Sequence, residues 1–447
     1  MVVVRGVEQA AAHVHGICLK TGPPRKAGVE LEWLVRDARD PALAVPAARI
    51  AQAVAPFASS QPRRPASTEP GNDLPTSTAP GILPSGAFLT AEPGGQLELS
   101  SLPADSLDDL IQSATTDLTA LRAALGGHGL DLAGLGLDPF RPPRRILNLP
   151  RYAAMETFFD RGGPWGRQMM GGTASVQVCL DAGDDSDTWT GYRYRWRLLH
   201  AIGPLLVATF ANSPLRDGNP TGWKSARQQI WANMDAGRTR PPIGEGASDP
   251  RDGWARYALD AQVMCMRSPG DDWTAPPGLT FRDWIGARDG LRVPDMEDLA
   301  YHLSTLFPPV RPRGHFEIRM IDAQPGDGWV VPLAVTHALL ADERAADAAM
   351  SAAERIWPGP PGAWPADPGE DGSGPNHDDG NPWITAARCG LDDPAIARAS
   401  RDCLHAARAA LTRLNAPPLV TTPVDTFIEN YTQRDRCPAD DLLEEVT

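Results

Sequence analysis

Four short stretches of this chain place carboxylates and amides at every second position between apolar residues: GVELEWLV, GGQLELS, GTASVQVCLD and RGHFEIRMIDAQ. In an extended chain successive side chains point to opposite faces. Glu30 and Glu32 then share a face opposite Val29, Leu31 and Trp33, and Gln96, Glu98 and Ser100 oppose Leu97 and Leu99. Likewise Thr173, Ser175 and Gln177 oppose Val176, Val178 and Leu180, and His315, Glu317 and Arg319 oppose Phe316, Ile318 and Met320. An antiparallel sheet with one solvated face also alternates, but such faces mix Thr, Lys, Arg and Glu, whereas glutamate dominates here. Carboxylates at i and i+2 of a strand lie about 7 Å apart and repel by roughly 2 kcal/mol at an effective dielectric of about 20. Gathering Glu30, Glu32, Glu98 and Glu317 in one cavity therefore requires a counter-charge. Oxygen-only ligands suit a hard cation, Mg²⁺ or Mn²⁺ rather than zinc. Arg319, beside Glu317, is placed to reach an anion brought by that metal. Carboxylate-held Mg²⁺ with an adjacent arginine is what phosphoryl transfer from ATP needs.

These strands need a scaffold, and the composition allows one. The chain has 447 residues, 42% hydrophobic and 22% charged, as in a soluble globular protein that buries a large core. The formal charge of −14 argues against a nucleic-acid-binding surface. No apolar run reaches the roughly 18 residues of a membrane span, and MVVVRGVEQAAAHVH lacks the layout of a signal peptide, so a cytoplasmic protein is expected. The six cysteines form no CxxC, as suits reduced thiols used in packing. No GxxxxGK[ST] loop is present, and GGHGLDLAGLG lacks the strand-turn-helix context of a nucleotide loop. ATP, if bound, is held by metals on a sheet.

Helical patterns over SLDDLIQSATTDLTALRAAL, RYAAMETFF and YRYRWRLLHAIGPLLVATFAN alternate with strand-like pieces far apart in sequence. The expected fold is α+β, with helices flanking a largely antiparallel sheet. Two Pro- and Gly-rich stretches, about residues 59–85 and 358–382, read as long loops. The second precedes LDDPAIARASRDCLHAARAALTRLN, a helix that Asp392 or Asp393 can cap. The expected organisation is a catalytic domain over 1–340 and a helical region over 341–447 packed on it.

The stretches GVELE, EPGGQLELS, RQMMGGTASVQVCLD, FANSPLRDGNPTGWKSARQQIW, RYALD, TFRDWI, MEDLAYHLSTLFPPVR and HFEIRMIDAQ run in one order from about residue 28 to about residue 340. Together they resemble the glutamate-cysteine ligases of plants and many bacteria, within the glutamine-synthetase-like carboxylate-amine ligases. The likeness is greatest to the actinobacterial branch associated with ergothioneine biosynthesis. The resemblance implies a funnel built on a curved, largely antiparallel sheet, holding ATP and two or three Mg²⁺ ions, with Mn²⁺ as a substitute. It implies metal ligation by Glu30, Glu32, Glu98 and Glu317, with Gln177 where some relatives have a metal-facing His or Gln. Arg319 matches the arginine at the transferred phosphate, so Arg319 and Glu317 are the expected catalytic pair. Arg227 matches a substrate-carboxylate binder; Arg151, Thr173 and Met169 are further expected substrate contacts. Plant relatives have Asn where this chain has Cys179.

In that family's reaction the γ-carboxylate of glutamate attacks the γ-phosphate of ATP, and the amine of cysteine then displaces phosphate from the acyl phosphate. No nucleophilic residue is required. Small-molecule substrates are the expected partners, with the protein a monomer or weak homo-oligomer. Three alternatives stay open on the residues alone: a ligase joining glutamate to another amine, a kinase acting on a guanidino or carboxylate substrate, and a binding protein that has kept the fold.

Overall fold

The structure, a computed structural model, describes residues 2–58, 81–242, 249–287, 290–357 and 380–446. Most of the two stretches expected as long loops lies outside the described residues. Ten strands are present among them: β1 Ala27–Asp37, β2 Gly81–Ile82, β3 Phe88–Ala91, β4 Leu97–Ser100, β5 Leu130–Ala133, β6 Ser175–Leu180, β7 Leu215–Arg216, β8 Asn219–Pro220, β9 Val310–Pro312 and β10 Phe316–Asp322. Eight form one sheet in the order β2-β3-β4-β1-β6-β10-β9, with β5 beside the end of β1, and β7 and β8 form a separate hairpin. Every pairing in the main sheet is antiparallel. The α+β class and the antiparallel sheet are as expected from sequence.

The apolar side of each alternating strand points into one large core. Val29, Leu31, Leu99, Val178, Phe316 and Ile318 are at most 1% exposed and pack with residues of the helices Leu107–Gly126, Tyr192–Thr209 and Val330–Ala341. The same core continues into Pro382–Cys389, Pro394–Arg413 and Pro418–Asn430, so the C-terminal helices share it with the sheet. Gly203 shows how close this packing is: a Cβ there would stand 2.1 Å from the Trp383 ring. Asp393 caps Pro394–Arg413 by accepting from Ala395 N at 3.0 Å and Ile396 N at 2.9 Å. A smaller second core joins Val7–Cys18 to Pro250–Asp260, Phe281–Gly286 and Met296–Leu303.

Alternation holds along β1, β4 and β6 but breaks in β10. Ile318 pairs with Val178 while Ile321 pairs with Val176, so β10 carries one extra residue between them. A bulge of this kind turns the following side chains to the other face. Met320 and Ile321 both enter the core, and Asp322 comes opposite Ser175 on the polar face. Simple alternation places Asp322 on the apolar side.

Candidate active site

The register assembles the polar face in rows. Glu32 lies across from Glu98, which lies across from Thr90; Glu30 is flanked by Ser100 and Gln177; Glu317 is flanked by Cys179 and Arg311. Over this face the helices Pro150–Asp160, Trp165–Gly172 and Ala226–Ala232 border an open cavity of about 100 Å³. Its walls include Glu30, Glu32, Glu98, Gln177, Arg319, Arg227, Arg151, Thr173 and Met169, nine of the ten residues expected at the site.

The carboxylates differ in how they are held. Glu98 accepts from the Thr90 and Ser100 hydroxyls at 3.0 and 2.8 Å, and Glu32 from the Ser175 hydroxyl and the Gln177 amide at 2.8 Å each. No donor among the described residues reaches the Glu30 carboxylate. Burial, and then repulsion by Glu98 and Glu317, pushes the Glu30 carboxyl up to about 8. Burial and Glu98 also raise Glu32.

Glu317, the tenth residue, does not line the cavity. It is 0% exposed and enclosed by arginines. Arg311 donates to its two oxygens at 2.8 and 3.3 Å, Arg313 adds a contact at 3.3 Å, and Arg319 pairs with Oε1. Burial pulls this carboxyl upward, but Arg311, Arg319 and Arg313 outweigh it and hold Glu317 well below the usual range. Both ends of the Gln177 amide are engaged as well, its NH₂ by Glu32 and its oxygen by Arg319 Nη1 at 2.5 Å. Glu317 and Gln177 therefore meet Arg319 directly, where a metal was expected.

Among the described residues no three His, Cys, Asp or Glu side chains form a ready-made metal-ligand set. The donors nevertheless suit a hard divalent cation. Three carboxylates face one cavity, one of them lacks any compensating donor, and all offer oxygen.

The same cavity is lined by unspent donors. Arg227 is 2% exposed, donates from Nη2 to the Arg319 carbonyl at 2.9 Å, and lies over the Trp231 ring at 4.4 Å; its Nε and Nη1 find no acceptor. Arg319 Nε is likewise unmatched. Arg151 is buried over Tyr301 and reaches the Ser304 hydroxyl at 3.2 Å, and Thr173 donates to the Met169 carbonyl at 2.7 Å. Glu92, Tyr152, Met155, Met170 and Phe307 complete much of the wall.

Sequence reasoning missed Arg311, Arg313 and Asp322. The first two had a signal, since in VRPRGHFE the arginines alternate as the glutamates do, and Gly314, at φ +84°, turns the chain so that Arg311 pairs with Glu317. Asp322 had none, because the bulge that redirects it is invisible to a period-two pattern.

Comparison with known proteins gives the family. The family model described as glutamate-cysteine ligase family 2 matches residues 26–444. The chain is 36% identical over 444 residues to the glutamate-cysteine ligase EgtA of Mycobacterium tuberculosis strain H37Rv, covering 98% of this chain and 90% of that one. The corresponding protein of Mycolicibacterium smegmatis is 36% identical over 446 residues, at 98% and 91% coverage. A chloroplastic glutamate-cysteine ligase of Medicago truncatula is 31% identical over 245 residues, 53% of this chain and 47% of its own. Among solved structures, the glutamate-cysteine ligase of Francisella tularensis in complex with AMP aligns with a TM-score of 0.48 at 11% identity, over 96% of this chain and 85% of that one. With a model matching almost the whole chain and relatives this similar end to end, the protein belongs to glutamate-cysteine ligase family 2 and is a ligase.

Proposed function

We propose that this protein joins the γ-carboxylate of L-glutamate to the amine of L-cysteine, converting ATP to ADP and phosphate and releasing γ-glutamylcysteine. The observation that carries the proposal is the cavity itself: Glu30, Glu32 and Glu98 line it together with Arg227 and Arg319, two guanidinium groups that keep N–H groups without a hydrogen-bond partner. The similarity to EgtA proteins supports a role in ergothioneine formation.

In this reading Glu30, Glu32 and Glu98 would hold two or three Mg²⁺ ions, with Mn²⁺ able to replace them. Glu317 and Gln177 would be further oxygen donors where Arg319 leaves them for the phosphate. The bound ions would neutralise charge across the ATP phosphates. Arg227 grips a carboxylate of the amino acid and orients its γ-carboxylate toward the γ-phosphorus. Arg319 stabilises the charge on the phosphoryl group as it passes to that oxygen. Arg151, Thr173 and Met169 shape the wall that keeps water from the acyl phosphate until the amine attacks its carbonyl carbon and phosphate leaves.

Among the described residues no helix is long and apolar enough to cross a membrane. The reading places the protein in the cytoplasm, acting on small molecules as a monomer or weak homo-oligomer. The decisive test is ADP release by the purified protein with Mg²⁺, glutamate and a panel of amines, with the product identified by mass. Release that needs both glutamate and cysteine and yields γ-glutamylcysteine is expected. Preference for another amine would overturn the acceptor alone, whereas a stable phosphorylated product formed without an amine would make the protein a kinase.

A further inference from the structure

Arg227 is a desolvated cation held in one posture, so its seat must resist displacement. On one side the seat is Asp322. Its carboxylate accepts from Asn212 N at 2.9 Å, from the Ser213 hydroxyl at 2.7 Å and from the Ser225 hydroxyl at 3.0 Å, and lies 3.8 Å from Arg227 Nη1. Ser213 in turn receives the Arg227 backbone N–H at 3.2 Å, and Ser225 caps the helix Ala226–Ala232 through Gln228 N at 3.2 Å.

On the other side the seat is the end of the chain. Lys224, immediately before the cap, is 9% exposed. Its backbone N–H reaches the Arg388 carbonyl at 3.1 Å, and Ser225 N reaches that of Ala387 at 2.9 Å. The Lys224 ammonium pairs with Asp440 and, at 3.0 Å, with Asp392. Asp440 belongs to the helix Pro438–Glu444, which is itself tied to the body by Ala439 N donating to Ala211 O at 2.9 Å. The lysine stem passes so close to Gly390, a residue at φ +57°, that a Cβ there would stand 3.0 Å from Lys224 Cγ and 3.2 Å from Cys437 Sγ. A largely buried ion pair adds little net stability against its desolvation cost, but it selects one arrangement over others.

We propose that Lys224 and Asp440 form a remote clamp through which the C-terminal segment positions Arg227 and thereby sets the affinity for the substrate carboxylate. Neither lines the cavity; both are positioning residues. The inference rests on the assignment of Arg227 to that carboxylate.

The test uses the full chain carrying Asp440→Asn, Lys224→Met, both together, or Lys224→Arg. It measures glutamate binding by calorimetry with Mg²⁺ and a non-hydrolysable ATP analogue, KM for glutamate and for ATP, and thermal stability. Each charge-removing variant is expected to weaken glutamate binding about five- to thirtyfold while KM for ATP changes less than about twofold. The double variant should be no worse than the poorer single one, because one shared contact is lost in all three. Lys224→Arg, which keeps the charge, should restore most of the affinity. Unchanged glutamate binding despite a lower melting temperature, or equal losses for glutamate and ATP, would overturn the clamp. Where a charge-removing variant does not fold, Asp440→Glu, which displaces the carboxylate without removing it, supplies the same glutamate-against-ATP comparison. Arg227→Ala separates the two assignments. If it leaves glutamate binding intact, the role of Arg227 falls; if it weakens binding and the clamp variants do not, only the clamp falls.

Discussion

At the scale of single residues, the four glutamates share a side-chain type but not an energetic situation. Glu30 receives no hydrogen bond from the described residues, and burial together with Glu98 and Glu317 raises its carboxyl to about 8, so its charge costs the empty protein stability. Glu30→Gln should therefore leave the melting temperature unchanged or raise it, while ligase activity falls about 100-fold or more through lost charge stabilisation. Glu317 is the opposite case. Its charge is the anchor of Arg311, Arg313 and Arg319. Glu317→Gln leaves three cations crowded without their anion, and by the usual cost of breaking a buried pair it should destabilise the fold by about 3–5 kcal/mol. Denaturant titrations of the two variants would show the opposed signs; a shared sign would contradict this division. The sequence placed both residues on the polar face with Arg319 beside Glu317, but it could not tell the compensated carboxylate from the uncompensated one, since Arg311 reaches Glu317 from β9 and Arg313 from the turn that joins it to β10.

At the scale of elements, the cavity wall depends on backbones that touch. The turn after Glu92 is closed by Glu92 N to Gln96 O and Gly95 N to Glu92 O, both at 2.8 Å. The Gln96 amide then donates to the Met170 and Thr173 carbonyls at 3.3 and 2.9 Å, fixing the segment that carries Met169 and Thr173. A Cβ on Gly94 would stand 2.5 Å from the Gly171 carbonyl oxygen, which is backbone and has no rotamer to yield. Gly94→Ala should cost about 1–3 kcal/mol as an overpacking change and should lower activity beyond what the stability loss explains, because the wall itself moves. Activity measured well below the variant's melting temperature checks this, and full activity there would refute it. EPGGQ announces a turn in the sequence, but the partner of that turn lies more than seventy residues away and has no local signature.

At the scale of the whole molecule, two fully buried histidines link stability to acid. His200 sits in the main core with one ring nitrogen 2.8 Å from the Trp196 carbonyl, and His302 lies beside the second core, 2.7 Å from the Ala258 carbonyl. The other nitrogen of each has no hydrogen-bond partner. Burial lowers His200 to about 4 and His302 to about 3. The unfolded chain takes up these protons near pH 6.5. Below that value the unfolded state binds more protons than the folded one, so stability falls as the pH drops and levels off only below the folded values. At the acid limit the loss should be on the order of 3 kcal/mol for His200 and about 5 kcal/mol for His302. Glu30, whose raised carboxyl makes the folded state gain stability as the pH falls from about 8, acts in the opposite direction. The histidine contribution is therefore read by comparison: in urea titrations between about pH 7 and about pH 4 a His302→Gln variant should lose less stability than the parent chain, and an unaltered slope would argue against this source.

By itself the sequence determined the α+β class, the strands that present carboxylates on one face, a helix cap at Asp392 or Asp393 and the resemblance to the ligase family. All of these follow from local periodicity or contiguous motifs, where each residue's neighbours in the chain are also its neighbours in space. Only the tertiary structure decided which carboxylates stand open to the cavity and which is locked among arginines. It alone revealed that a one-residue bulge in β10 brings Asp322 to the polar face, and that Lys224 joins the Arg227 seat to the end of the chain. Those outcomes depend on register and on contacts between segments as far apart as Lys224 and Asp440, and an ion pair formed at that separation leaves no period in the sequence to read.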